Sequence, residues 1–144
     1  MNFRHLLLSL ALLAGVFVLP GCKKAVEYKD FFVSLDATDN SCTMWEDGRA
    51  FPVFWTKILL DGRDETRNYT VEFELTAQGG RVSNSPVYSR KTGVVHINFV
   101  SDDPENFQGG TVVAKPVRIY GESGLPHPYI NGDQSITLVI NPAQ

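Results

Sequence analysis

Val71-Glu72-Phe73-Glu74-Leu75 alternates apolar and acidic residues without interruption. A strand sends successive side chains to opposite faces, so Val71, Phe73 and Leu75 share one side and the two glutamates share the other. A helix would put Phe73 on the side opposite Val71 and Leu75. The stretch reads as a half-buried strand, and Gly79-Gly80 ends it.

The same period recurs on both sides of this stretch. Phe31, Val33 and Leu35 define a first strand. In the long apolar run from Ala50 to Leu60, one face carries Phe54, Thr56, Ile58 and Leu60. The other carries Val53, Trp55, Lys57 and Leu59, and Lys57 turns that second face at least partly outward. Asp61-Gly62 closes the run. From Val94 to Val100, the inward residues are Val95, Ile97 and Phe99, with His96 and Asn98 outward. Thr111 to Tyr120 is a further strand in which Pro116, lacking an N–H, marks a bulge or an edge position. Ile136, Leu138 and Ile140 alternate with Thr137 and Val139 in the last one. No window carries an amphipathic helical stripe. Short antiparallel strands separated by turn signals predict an all-β sandwich.

The N-terminus has a different character. Arg4 and His5 precede an apolar run from Leu6 to Leu19, 14 residues long, then Pro20-Gly21-Cys22. The run is short of the roughly 20 residues a bilayer-spanning helix needs, and a short apolar run behind a basic start is a secretory signal. Leu19-Pro20-Gly21-Cys22 resembles a bacterial lipobox, with a small residue before the cysteine and Pro20 as a departure from the usual pattern. The resemblance implies a signal peptide over residues 1–21 that is cleaved, and lipidation of Cys22 by a diacylglyceryl thioether and an N-acyl group. A lipidated tether over 22–29 and one domain over 30–144 follow. More than one acyl chain makes such an anchor firm, and Lys23 and Lys24 add attraction to anionic headgroups. Lys23 is not an aspartate, which under the enterobacterial sorting rule favours the outer membrane. The expected location is the cell envelope.

The chain has 144 residues, with 13 Lys+Arg against 16 Asp+Glu and a net charge of −3. Loss of Arg4 with the signal leaves the remainder more acidic still. That length suits one domain, and the absence of a basic stripe excludes nucleic acid as a partner. There are only two cysteines. With Cys22 lipidated, Cys42 is left either buried or open to intermolecular pairing. No Cys/His spacing indicates zinc or redox chemistry, and no cofactor motif is legible.

The order of turns and strands resembles the bacterial immunoglobulin-like domains of intimin and invasin type surface proteins. The residues that carry the likeness are Glu46-Asp47-Gly48 before the Ala50–Leu60 run and Asp61-Gly62 after it. Val71-Glu72-Phe73 followed by Gly79-Gly80, Gly93-Val94 ahead of a core strand, and Gly110-Thr111 with Ala114 complete it. The likeness spans about residues 31–120, with a closing strand at 135–140. It implies a single Ig-like Greek-key sandwich, here as one copy rather than an array, with Gly121 to Asp133 inserted before the last strand. Domains of this kind share a fold and not one binding activity.

Acidic residues gather at Asp36, Asp39 and Asn40, at Asp61, Asp64 and Glu65, and at Asp102, Asp103 and Glu105. None has the ligand spacing of an EF-hand, so they read as solvated loops rather than a metal site. His96 and His127 lack a nucleophile elbow or an orienting acid in sequence. The chain therefore reads as a non-enzyme. The Pro-stiffened stretch Gly124-Leu125-Pro126-His127-Pro128-Tyr129-Ile130 offers Leu125, His127 and Tyr129 as binding residues, or else folds back to cap the sandwich. Trp55 is a second anchor, or else core. The expected function is a lipid-anchored envelope module that binds a membrane through Cys22 and an envelope or host protein or glycan non-covalently. The alternative is an accessory lipoprotein of a secretion, pilus or outer-membrane assembly machine.

Overall fold

The computed structural model describes residues 30–128 and 131–144. The segment 1–21, Cys22 with the rest of the tether, and Tyr129 with Ile130 lie outside the described residues. Among the described residues there is no helix, and fourteen strands run in the following order. They are β1 (Phe31–Asp36), β2 (Ser41–Thr43), β3 (Arg49–Ala50), β4 (Val53–Leu60), β5 (Arg63–Asp64), β6 (Thr70–Gln78) and β7 (Gly80–Val82). After these come β8 (Val87–Tyr88), β9 (Val94–His96), β10 (Phe99–Ser101), β11 (Gly110–Tyr120), β12 (Pro126–Pro128), β13 (Asn131–Gly132) and β14 (Ile136–Asn141).

One layer holds β13-β1-β4-β5, with β9 also on β4. The short ladder β3-β10-β7 continues it, since β3 leads into β4 and β10 follows β9. The opposite layer is β2-β14-β11-β6-β8, with β12 on β11. Across the first layer the order is therefore β1, β4, then β9 and β10 in succession, then β7, and across the second it is β14, β11 and β6. That is the Greek-key order of an Ig-like sandwich.

The inward sets meet as the alternation predicts. Val33, Phe54, Ile58, Val95, Ile97 and Phe99 on one layer, and Val71, Phe73, Val112, Leu138 and Ile140 on the other, are all essentially inaccessible to solvent. Phe54 and Phe73 meet across the layers edge to face, with ring centroids 5.0 Å apart and an interplanar angle of 89°.

Two expectations need correction. The Ala50–Leu60 run is not one strand, because Phe51-Pro52 interrupts it and Pro52 has no N–H to donate. Val94–Val100 also divides, into β9 and β10. The Asn84 side chain takes the place of a neighbouring strand there: its Nδ2 donates to the His96 carbonyl (3.0 Å) and its Oδ1 accepts from the Asn98 N–H (2.9 Å). Pro116 sits at a bulge, since the register of β11 against β6 shifts between Pro116 and Arg118. It also lies in the gap between the β14 ladder, which ends at Ala114, and the β12 ladder, which begins at Arg118.

That bulge reverses the facing of β11. Val112 and Ala114 point inward before it, and Ile119 points inward after it. Arg118 and Tyr120 consequently emerge on the outer face above Glu72. Glu72 is outward as expected but only 7% exposed. It accepts hydrogen bonds from Tyr120 Oη (2.6 Å) and Arg118 Nη1 (3.1 Å), so its charge is paired where it is covered. The bond to Glu72, first among the causes, raises the Tyr120 phenol above its ordinary value.

Thr56 faces the core beside Phe54 and Ile58, and its Oγ1 is buried without a hydrogen-bond partner among the described residues. Valine has the same shape without the hydroxyl. We expect Thr56→Val to stabilise the domain by about 1 kcal/mol, read as a raised midpoint in urea. A lowered midpoint would mean that the hydroxyl has a bonding partner in solution.

Candidate functional site

The chain enters the domain at Asp30, beside Phe31, and Phe31 is registered with Leu60. Val53, at the other end of β4, lies about 23 Å from Leu60 at roughly 3.3 Å per residue. The sandwich thus has an entry pole, near Phe31 and Leu60, and a far pole, near Val53.

Large aromatic groups are exposed toward the far pole. Trp45 is 57% exposed, Phe51 39% and Trp55 41%. Trp55 projects from the outer face of β4, opposite Asp36 of β1 and Val94 of β9. Core packing of Trp55 is ruled out by its parity: Phe54 and Thr56 take the inward positions. Phe51 shares with Trp55 the rim of a recess of about 220 Å³ that Cys42 and Leu138 also line. Trp45 meets Phe51 edge to face, centroids 5.1 Å apart.

The local chain holds these rings in place. Trp45 N–H donates to the Arg49 carbonyl (2.8 Å), and Gly48 N–H donates to the Trp45 carbonyl (2.9 Å). Gly48 has φ of 83°, which favours glycine. Met44 is buried on the inner side of this turn, so Trp45, next in sequence, is turned out. The Arg49 guanidinium lies 5.8 Å from the Trp45 ring centroid and 6.0 Å from that of Phe51, within cation–π range. Asp47 holds it from the side, Nε to Oδ2 at 2.7 Å. The hydrogen bond from the Arg49 side chain keeps the Asp47 carboxyl below its ordinary range.

On the other side of Trp55 is an open groove of about 790 Å³, whose walls include Ser34, Asp36, Lys57, Asp64, Arg67 and Lys91. Asp64 is partly committed: its Oδ1 accepts from Thr66 N–H (3.0 Å) and Thr66 Oγ1 (2.6 Å). The Thr66 hydroxyl bond is the largest cause holding the Asp64 carboxyl below its usual value, with Lys57 and Arg67 adding to it. Lys57 Nζ lies 3.9 Å from Asp64 Oδ2, with both side chains more than half exposed, so this pair contributes little to stability.

Of the residues expected to bind, Trp55 stands apart from Leu125 and His127. Leu125, 66% exposed, is at the tip of the turn before β12 at the entry pole. His127 is half-buried there, its ring 5.4 Å from that of Phe31. Its Nδ1 is buried without a hydrogen-bond partner among the described residues. Trp55 is on the outer sheet face and Tyr129 lies outside the described residues. The stretch from Gly121 to Asp133 is more than a loop: β12 joins β11 in one layer and β13 joins β1 in the other.

His96 pairs with Val53 near the far pole of the first layer, whereas His127 is on β12 of the second layer at the entry pole, so the two stand at opposite ends of the sandwich. Ser89 is buried, and its hydroxyl accepts from the Val71 N–H at 2.9 Å. Cys42 is half-buried, neither fully covered nor fully open, and burial raises its thiol pKa, which leaves it protonated and a weak nucleophile at neutral pH. Asp39, Asp64 and Asp103 accept hydrogen bonds from residues of their own loops. Among the described residues no group of three His, Cys, Asp or Glu side chains is arranged to hold a metal ion, and no helix is long and apolar enough to cross a membrane.

Sequence reasoning missed Trp45, Arg49, Phe51, Arg67 and Lys91. Trp45 carried a signal, since a tryptophan beside the polar turn Glu46-Asp47-Gly48 has no alternating strand to bury it. Arg67 and Lys91 carried none, because their proximity to Trp55 arises from loops far apart in sequence. No protein family, curated protein or solved structure matches this chain.

Proposed function

We propose that the protein is a lipid-anchored module of the bacterial cell envelope, similar to bacterial immunoglobulin-like domains, that works by non-covalent binding through the surface around Trp45, Phe51 and Trp55. The observation that carries this reading is the cluster of three exposed aromatic rings toward the pole opposite the point where the chain enters the domain. Isolated exposed apolar residues are ordinary, but contiguous ones beside an arginine have the composition of a binding hot spot. A lipid on Cys22, in the outer membrane by the sorting argument, would hold the entry pole near the bilayer. The tether over 22–29 reaches at most about 28 Å when extended. The aromatic pole is then the end of the domain farther from its point of attachment.

The test places a photo-crosslinking phenylalanine analogue at Phe51 in living cells, with Lys115 on the outer face of β11 as the control position. A discrete adduct is expected from position 51 and not from 115, and Cys22→Ser should release the protein from the membrane fraction. Equal labelling at both positions, or none at either, would remove the aromatic surface as the working face.

A further inference from the structure

The groove beside Trp55 has a chemistry of its own, and the chemistry narrows the ligand. Its aromatic wall is a single flat ring, 41% exposed, on the outer face of β4. Its other walls are polar. Ser34 and Asp36 come from β1, and neither side chain has a hydrogen-bond or ion-pair partner among the described residues. Lys57, Arg67 and Lys91 bring three positive charges against the two carboxylates of Asp36 and Asp64. Asp64 is partly spent on Thr66 and Lys57. Arg67 and Lys91 make no ion pair among the described residues. On a chain with a net charge of −3, this is a cationic recess in an acidic body.

An apolar peptide side chain would fit this groove poorly, because it would strip water from cations and carboxylates without replacing their bonds. A pyranose ring fits it better. Its C–H face lies flat on the indole, and its hydroxyls donate to Asp36 and exchange hydrogen bonds with Ser34. Arg67, which also acts on Asp64 through space, and Lys91 are in no ion pair among the described residues, and they are placed to attract an anion on the ligand. Arg67 matches a carboxylate in bidentate geometry, and Lys91 adds a second positive charge.

We propose that the groove beside Trp55 binds a glycan whose sugars carry carboxylates. The assignment rests on the reading of the Trp55 surface as the working face, and it supplies the ligand class. Trp55 is the stacking platform, Asp36 and Ser34 orient the hydroxyls, and Arg67 and Lys91 select for the acid. Because the selecting charges are exposed, binding weakens as salt is added.

The test is calorimetric titration of the protein purified from membranes in detergent with tetragalacturonate, and with maltotetraose as a neutral probe of the same length. Tetragalacturonate is expected to bind, at least about tenfold more tightly than maltotetraose. Trp55→Ala should abolish measurable binding. Arg67→Gln with Lys91→Gln should bring the acidic probe down to the level of the neutral one. Unfolding midpoints are expected to stay at the parent value in these variants, since all three side chains are on the solvent side. Equal binding of both probes overturns the selection for acid. Absence of binding by either probe overturns the glycan assignment. If position 51 still captures a protein in cells while both probes fail, the aromatic face stands and its ligand is a protein. Failure of both experiments removes the working face as well.

Discussion

Phe73→Ala is expected to remove roughly 3–5 kcal/mol of stability. The residue is fully buried, and it stands at the centre of the interface between the two layers, edge-on to Phe54 at 5.0 Å. Truncation loses the transfer free energy of the ring and leaves a cavity between two hydrogen-bonded sheets that cannot close without moving the ladders. A domain of this size is typically stable by about 5–15 kcal/mol, so the loss is a large share of the whole. Equilibrium urea denaturation would show it as a lower midpoint with an unchanged slope. In a double-mutant cycle with Phe54→Ala, the pair should show a coupling of about 0.5–1.5 kcal/mol beyond area burial. A cost below about 1 kcal/mol would mean that the layers do not pack through this pair.

Gly93→Ala should cost roughly 2–4 kcal/mol through two separate effects. Gly93 has φ of 81°, a conformation unfavourable for any residue with a Cβ. An added Cβ would also lie 2.3 Å from the Thr56 carbonyl oxygen, far inside contact distance. That carbonyl belongs to β4, and the Thr56 N–H donates to the Gly93 carbonyl at 2.8 Å, so the two backbones have no slack between them. Gly62 separates the two effects. It has φ of 77° but nothing within 4 Å of an added Cβ, so Gly62→Ala should show the dihedral cost alone, about 1 kcal/mol. Thermal unfolding of both variants would check this. Similar losses in the two would mean that the backbone of β4 yields to Gly93. Because Trp55 and Lys57 flank Thr56, a shifted β4 would also move the wall of the groove.

The alternation of single residues made most of the core legible. Val71, Phe73 and Leu75, and likewise Val95, Ile97 and Phe99, were placed inward from their spacing and are buried. This works because strand parity is a local property, set by the backbone and independent of what lies across the sheet. Where strands end and change partners was not legible. Asn84 substitutes for a strand beside His96 and Asn98 through contacts separated by more than ten residues. Pro116 announced an irregularity, but not that it would turn Arg118 and Tyr120 outward over Glu72.

The candidate site was less legible than the core. Trp55 was singled out, yet parity alone left open whether its face would be covered, because burial of an outer sheet face depends on whether another element reaches it. Among the described residues no element covers it, and loops carrying Arg67 and Lys91 border it instead. Leu125 and His127, two positions apart in the stiffened stretch, proved to belong to the opposite pole, where β12 and β13 tie the two layers together. Residue order alone thus decided which side chains form the core and that the chain folds as a β-sandwich, since both follow from a two-residue period and from turn residues acting locally. Tertiary structure decided which outward residues stand together. Surface neighbourhoods are assembled from segments distant in sequence, and no local preference encodes the distance between them.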